Sequence, residues 1–136
     1  MSMEADLYSY LSTHADAAAL RTLVNSKIFW GTIPQNESMP YIRVNTVTTE
    51  PGKTLGGDDG QTTSTLQFSI FDQQHPVCVS IREALRSLLH GNKRFTEGTT
   101  VFHHILMGEY FEDWVDEPDY GYMHMPVDFQ FYHSTT

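Results

Sequence analysis

Cysteine is nearly absent: Cys78 stands alone in 136 residues. An intrachain disulfide is therefore excluded, so the fold must rest on packing or on assembly. Basic residues are scarce too. Eight Lys and Arg face 17 Asp and Glu, a formal net charge of −9. No Lys/Arg cluster stands out along the chain, so a protein that grips nucleic acid through its phosphates is not expected. Such a surface would repel DNA or let it slide. No apolar run is long enough to span a bilayer, and the amino-terminal MSMEADLYSYLSTHAD carries acids where a signal peptide is basic and then apolar. No CxxC, HxxxH, HExxH, GKS/T or GxGxxG spacing occurs, which removes the common metal, phosphate-loop and dinucleotide sites.

What remains is a globular composition, 40% hydrophobic and 18% charged, at the length of one domain spanning 1–136. Leu7 and Leu11, joined by Tyr8, predict a helix over residues 3–12. A second helix is expected over 16–24, with Asp16 near its N-cap and Leu20, Leu23 and Val24 on one face. A short β-like run, KIFWG, and a loop lead to a strand over 41–49, where Ile42 and Val44 alternate with Arg43 and Asn45. The stretch EPGKTLGGDDGQ reads as a flexible connection, longer than a tight hairpin needs. A strand follows over 62–72, with Leu66, Phe68 and Ile70 on one face.

The clearest helix opens at Pro76. Val77, Ile81, Ala84, Leu85, Leu88 and Leu89 form its stripe, and Gly91 stands at its stop. Residues 92–98 read as a loop, 99–111 as a strand, and EDWVDEPDYG as an acidic turn. The closing strand, 122–132, is the most regular element. Met123, Met125, Val127, Phe129 and Phe131 alternate with His124, Pro126, Asp128 and Gln130. Pro126 within it implies an edge position or a local bulge. The expected fold class is α+β, a mostly antiparallel sheet with helices packed on one face.

Chemistry is thinly represented. His103 and His104 are adjacent in a strand and point to opposite faces, and His124 and His133 lack ligand spacing. Cys78 near a helix start, with His75 close by, would need an activating environment to serve as a nucleophile, and no second catalytic signature accompanies it. Glu109, Glu112, Asp113, Asp116, Glu117 and Asp119 lack the oxygen-rich pattern of a calcium loop. They read either as a solvated turn or as the charged rim or lumen of an oligomer, where Asp58, Asp59, Glu112, Asp113 and Asp116 would face a channel. The segment Thr54, Leu55, Gly56, Gly57, Asp58, Asp59, Gly60 and Gln61 is either a mobile loop or an arm that orders against a neighbouring subunit. Tyr41, Phe71, Tyr110, Trp114, Tyr120 and Tyr132 exceed what one small core needs, and some could anchor an interface. No catalytic, cofactor-binding or metal residue is assigned.

Read in order, DAAALRTLV, KIFWGTIPQNESMPYIRV, TLGGDDGQTTSTLQFSIFD, SIREALRSLLHG and YGYMHMPVDFQFYH resemble the tail terminator, or tail completion, proteins of long-tailed bacteriophages and gene transfer agents. The resemblance covers nearly the whole chain. The acidic stretch 112–119 and Pro126 depart from the pattern. The resemblance implies a non-enzymatic virion protein at the tail–head joint, assembled in the host bacterial cytoplasm. It implies a hexameric ring of identical subunits that caps the tail tube and ends its polymerisation. The implied partners are the major tail tube protein and the head–tail connector or stopper, with DNA passing through the lumen without specific binding, no membrane and no cofactor. A connector-side stopper, adaptor or minor tail protein of similar fold is the nearest alternative. A small Cys/His-dependent enzyme is the remote one.

Overall fold

A computed structural model describes residues 3–54, 57–91, 94–116 and 121–135. The chain begins with helix α1 (Met3–Thr13), a 3-10 turn (Ala15–Ala17) and helix α2 (Ala18–Val24). It continues through β1 (Ile28–Trp30), β2 (Tyr41–Thr54), β3 (Gly57–Asp72), helix α3 (His75–Leu89), β4 (Phe95–Glu97), β5 (Thr100–Tyr110), β6 (Asp113–Asp116) and β7 (Gly121–Thr135). The strands form one sheet in the order β1-β2-β3-β7-β5-β4, with β6 also paired to β7. Every pairing is antiparallel except β1 with β2, which run parallel.

All three helices contribute to one core on one face of this sheet. Leu7, Leu11, Leu20 and Val24 from α1 and α2 meet Ile42, Val44, Leu66, Phe68 and Ile70, and α3 adds Ile81, Leu85 and Leu89. Each such apolar side chain gains roughly 1.5–3 kcal/mol from leaving water. Tyr8 and Leu23, expected on the helical stripes, are instead exposed. Asp16 is not an N-cap: the helix is entered through the 3-10 turn, where the Asp16 amide donates to His14 Nδ1.

Three expectations are corrected. First, the Gly/Asp-rich connection is a hairpin. β2 and β3 stay paired to Lys53↔Asp58 and Thr54↔Gly57, while β3's last partner on β7 is Gln61↔Ser134. Residues 52–54 and 57–60 therefore form a two-stranded arm beyond the wider sheet. Second, residues 95–97 and 113–116 are strands rather than loop and turn. Third, β7 is central, flanked by β3 on one side and by β5 and β6 on the other. Pro126 is not at an edge. Its missing N–H falls at the irregularity that the sequence also allowed. Regular β5 pairing is interrupted between Met107 and Tyr110, Phe111 donates to the Pro126 carbonyl, and β6 takes over at Asp113↔His124.

Candidate assembly surface

The side chains that suggested chemistry are placed apart. Cys78 is buried against Asp72, and desolvation, reinforced by that carboxylate, pushes its thiol up to about 12. Burial and the neighbouring carboxylate thus oppose the thiolate that a nucleophile would need. His75 turns to Glu112 instead, donating from Nε2 to Oε1 at 2.8 Å. Cys78 should therefore label very slowly with a thiol reagent at neutral pH and fully in denaturant. Rapid labelling of the folded protein would contradict this assignment.

The histidines find separate structural partners. His103 Nε2 is 2.8 Å from Ser134 Oγ, His104 stacks on Tyr132 at 4.2 Å, and His133 Nε2 shares a 2.8 Å hydrogen bond with Ser64 Oγ. Burial lowers the His133 pKa and that of His124. Among the described residues no group of three or more His, Cys, Asp or Glu is placed to hold a metal ion.

The two acidic sets are not brought together. Asp58 and Asp59 lie in the arm, beyond the pair Gln61↔Ser134, whereas Asp113 pairs with His124. The positions Ser134 and His124 differ by 134 − 124 = 10 residues, roughly 33 Å along β7 at about 3.3 Å per residue. Glu112, Asp113 and Asp116 are exposed at the β6 end. Glu112 holds His75, and Asp116 accepts from Trp114 Nε1 at 2.7 Å. Leu55, Gly56, Glu117, Asp119 and Tyr120 lie outside the described residues. Thr54, Gly57 and Gly60 belong to the arm strands, and Gln61 is exposed at its base.

The aromatics divide. Phe71 is buried, stacked on His124 (4.5 Å) and in tilted contact with Tyr41 (5.2 Å). Trp114 remains 49% exposed, beside Tyr110 and the still more open Phe111. Phe111 does not stand out in the sequence, because it is only the last residue of the strand expected over 99–111. On the sheet face away from the helices, Arg43 Nε, Ser69 Oγ and His124 Nε2 are buried without a hydrogen-bond partner among the described residues.

The basic residues are also less scattered than the sequence suggested. Arg82, Arg86 and His90 recur at i, i+4 and i+8 along α3 and its cap, and together line a groove with Met107, Gly108 and Tyr110.

Both sheet margins are three-residue strands, β1 and β4, which cover only residues 42–44 of β2 and 100–102 of β5, so residues 45–54 of β2 keep an open edge among the described residues. The surfaces left for association are the arm, the open β2 edge, the β5–β6 ridge and the uncovered sheet face.

The model of the family described as tail completion protein gp17 matches residues 6–134. The chain belongs to that family. This is the family named by the resemblance in the sequence, and it makes the protein a structural component of a phage-type tail. A solved structure titled as the virion of a native gene transfer agent particle shares the fold with a TM-score of 0.74 at 13% identity, covering 98% of each chain. A second solved structure reaches a TM-score of 0.58 at 15% identity, covering 100% of this chain and 96% of its own. No curated protein matches in sequence.

Proposed function

We propose that this tail completion protein is the subunit of a homo-hexameric ring that caps a tail tube, ends its polymerisation and joins the tail to the head connector. The observation that carries the reading is the family match across residues 6–134. The near end-to-end likeness in fold to a chain of a gene transfer agent virion supports it. So does the distribution of surfaces. The open edge of β2 offers a place for sheet extension, and the two-stranded arm offers a device that reaches outward.

In this reading the arm residues Thr54, Leu55, Gly56, Gly57, Asp58, Asp59, Gly60 and Gln61 contact a neighbouring subunit or the tube. Sheets standing along the channel would bring Asp58 and Asp59 to one mouth and Glu112, Asp113 and Asp116 to the other. Negative charge at both mouths would repel phosphates, so DNA passes without adhering. The protein acts in the virion, at the tail–head joint, as a structural part and not an enzyme.

The test is tube length. Purified tube protein polymerised with the wild-type chain should give capped tubes of limited length in electron micrographs. A variant with Lys53, Thr54, Leu55, Gly56, Gly57 and Asp58 replaced by an Asn-Gly turn keeps a short hairpin. It should fold with unchanged helix content and leave tubes uncapped. Wild-type protein that binds the connector yet leaves tube length unchanged would assign it instead as a stopper or adaptor.

A further inference from the structure

We propose that the groove between α3 and the outer edge of β5 receives an acidic surface of a second copy of this chain. The proposal rests on the self-assembly reading above and names the contact that such assembly would use.

The groove encloses about 250 Å³. On one wall stand Arg82, Arg86 and His90. Arg82 is fixed, 13% exposed, its guanidinium 4.5 Å above the Tyr110 ring and donating from Nη2 to Glu83 Oε1 at 3.1 Å. Arg86 is 58% exposed and only 3.7 Å from the other oxygen of the same carboxylate. One Glu thus serves two guanidinium groups, and a positive charge is left over. His90 Nδ1 accepts from the Met107 amide at 2.9 Å, which leaves the ring hydrogen on Nε2 as a donor.

The other wall is strand edge. β4 pairs with β5 no further than Phe95↔Phe102. The end of α3 then takes the Ile105 carbonyl, through the Gly91 amide at 2.8 Å, and the Met107 amide. Past Met107 no strand pairs with this side of β5 among the described residues.

Charge selects the occupant. Four of the eight basic residues, Arg82, Arg86, Lys93 and Arg94, fall between positions 82 and 94, where Glu83 is the one acid. The rest of the chain is correspondingly more acidic than its net charge of −9 suggests. Copies that each carry this excess repel one another over most of their surface. They attract where an acidic surface of one meets this groove on the next. The carboxylate would take Arg86 and the His90 Nε2–H, with Met107 and Tyr110 supplying apolar contact.

Native mass spectrometry and sedimentation of the full chain test this with Arg86→Glu, and with Lys27→Glu as a control that changes net charge equally outside the groove. Arg86→Glu should weaken oligomerisation about tenfold or more at low salt, the order expected for losing and reversing one interfacial charge. Lys27→Glu should change it little, and added salt should weaken the wild-type oligomer. Wild-type oligomers that persist unchanged in Arg86→Glu overturn the groove while leaving the ring reading intact. A wild-type chain that remains monomeric even with tube protein sinks the ring reading itself, and the groove with it. Duplex DNA binding that disappears in Arg86→Glu, with oligomerisation unaffected, would overturn the proposal in favour of a phosphate site.

Discussion

Phe131→Ala should cost about 3–5 kcal/mol, the range for deleting a fully buried aromatic ring. Phe131 is wholly buried and lies between Phe68, 6.4 Å away, and Phe102, 6.2 Å away. That pair continues outward. Phe68 meets Phe129 at 5.4 Å, while Phe102 stacks on Phe95 at 4.9 Å and Phe95 on Tyr10 at 4.6 Å. The ring at 131 thus joins the centre of the sheet to β4 and through it to α1. No single neighbour can fill the cavity, because the rings on both sides are held by strands. A domain is stable by about 5–15 kcal/mol in total, so the loss approaches unfolding. Urea denaturation followed by circular dichroism should show the midpoint falling at unchanged slope. Phe131→Leu, which keeps most of the volume, should lose less and provides a folded reference. Phe111→Ser makes the contrast: Phe111 is 60% exposed, and its loss should move stability by no more than about 0.5 kcal/mol. If Phe131→Ala behaved like Phe111→Ser, the aromatic chain would not be the core of this domain.

How far the sequence could be read follows from what each element leaves in it. α3 was legible because its buried residues repeat at the helical period, and β7 because Met123, Met125, Val127, Phe129 and Phe131 alternate along it, although Pro126 between them is buried as well. The arm left no such trace. Gly57, Asp58 and Gly60 show no apolar alternation in the sequence, and their pairing is a property of the backbone ladder. β4 and β6 are too short to show a period. Pro126 was legible as a constraint but not as a solution. Proline forbids one hydrogen bond, and an interrupted neighbour satisfies that as well as an edge does. The surfaces were harder still. Nothing in the chain tells that Asp58 and Asp113 belong to opposite ends of β7, since that depends on the last strand inserting between β3 and β5. The basic stripe could have been found by projecting Arg82, Arg86 and His90 on a helix, although they form no run in the sequence. The family resemblance points to a structural part of a phage-type tail, and the fold shows which surfaces are exposed on the single chain.

The contact least visible in the sequence supports the other large expected effect. Asp6→Ala should destabilise the protein by about 2–4 kcal/mol, because buried donors lose their acceptor. Asp6 is 1% exposed in α1. Its Oδ2 accepts from Thr100 Oγ1 at 2.6 Å, from the Thr99 amide at 3.2 Å and from Thr99 Oγ1 at 3.4 Å. Thr100 is itself buried, so its hydroxyl has no easy recourse to water. Glu97↔Thr100 closes the β4–β5 hairpin with a two-residue turn, and Gly98 sits in it at φ +60°. A side chain on Gly98 would suffer twice, since the left-handed backbone disfavours it and its Cβ would overlap the Asp6 carboxylate. The nearest atoms around that Cβ all belong to Asp6. Gly98→Ala should therefore cost more in the wild-type chain than in an Asp6→Ala background, where only the backbone strain of about 1–2 kcal/mol is left. The double-mutant cycle should show a coupling of about 1–2 kcal/mol, with the two losses adding to more than the double variant's. Strict additivity would mean that the carboxylate does not hold the turn. With coupling, the Asp6 carboxylate fastens α1 to the β4–β5 hairpin alongside the Tyr10–Phe95 stack, and the first turn of α1 should fray when the carboxylate is removed.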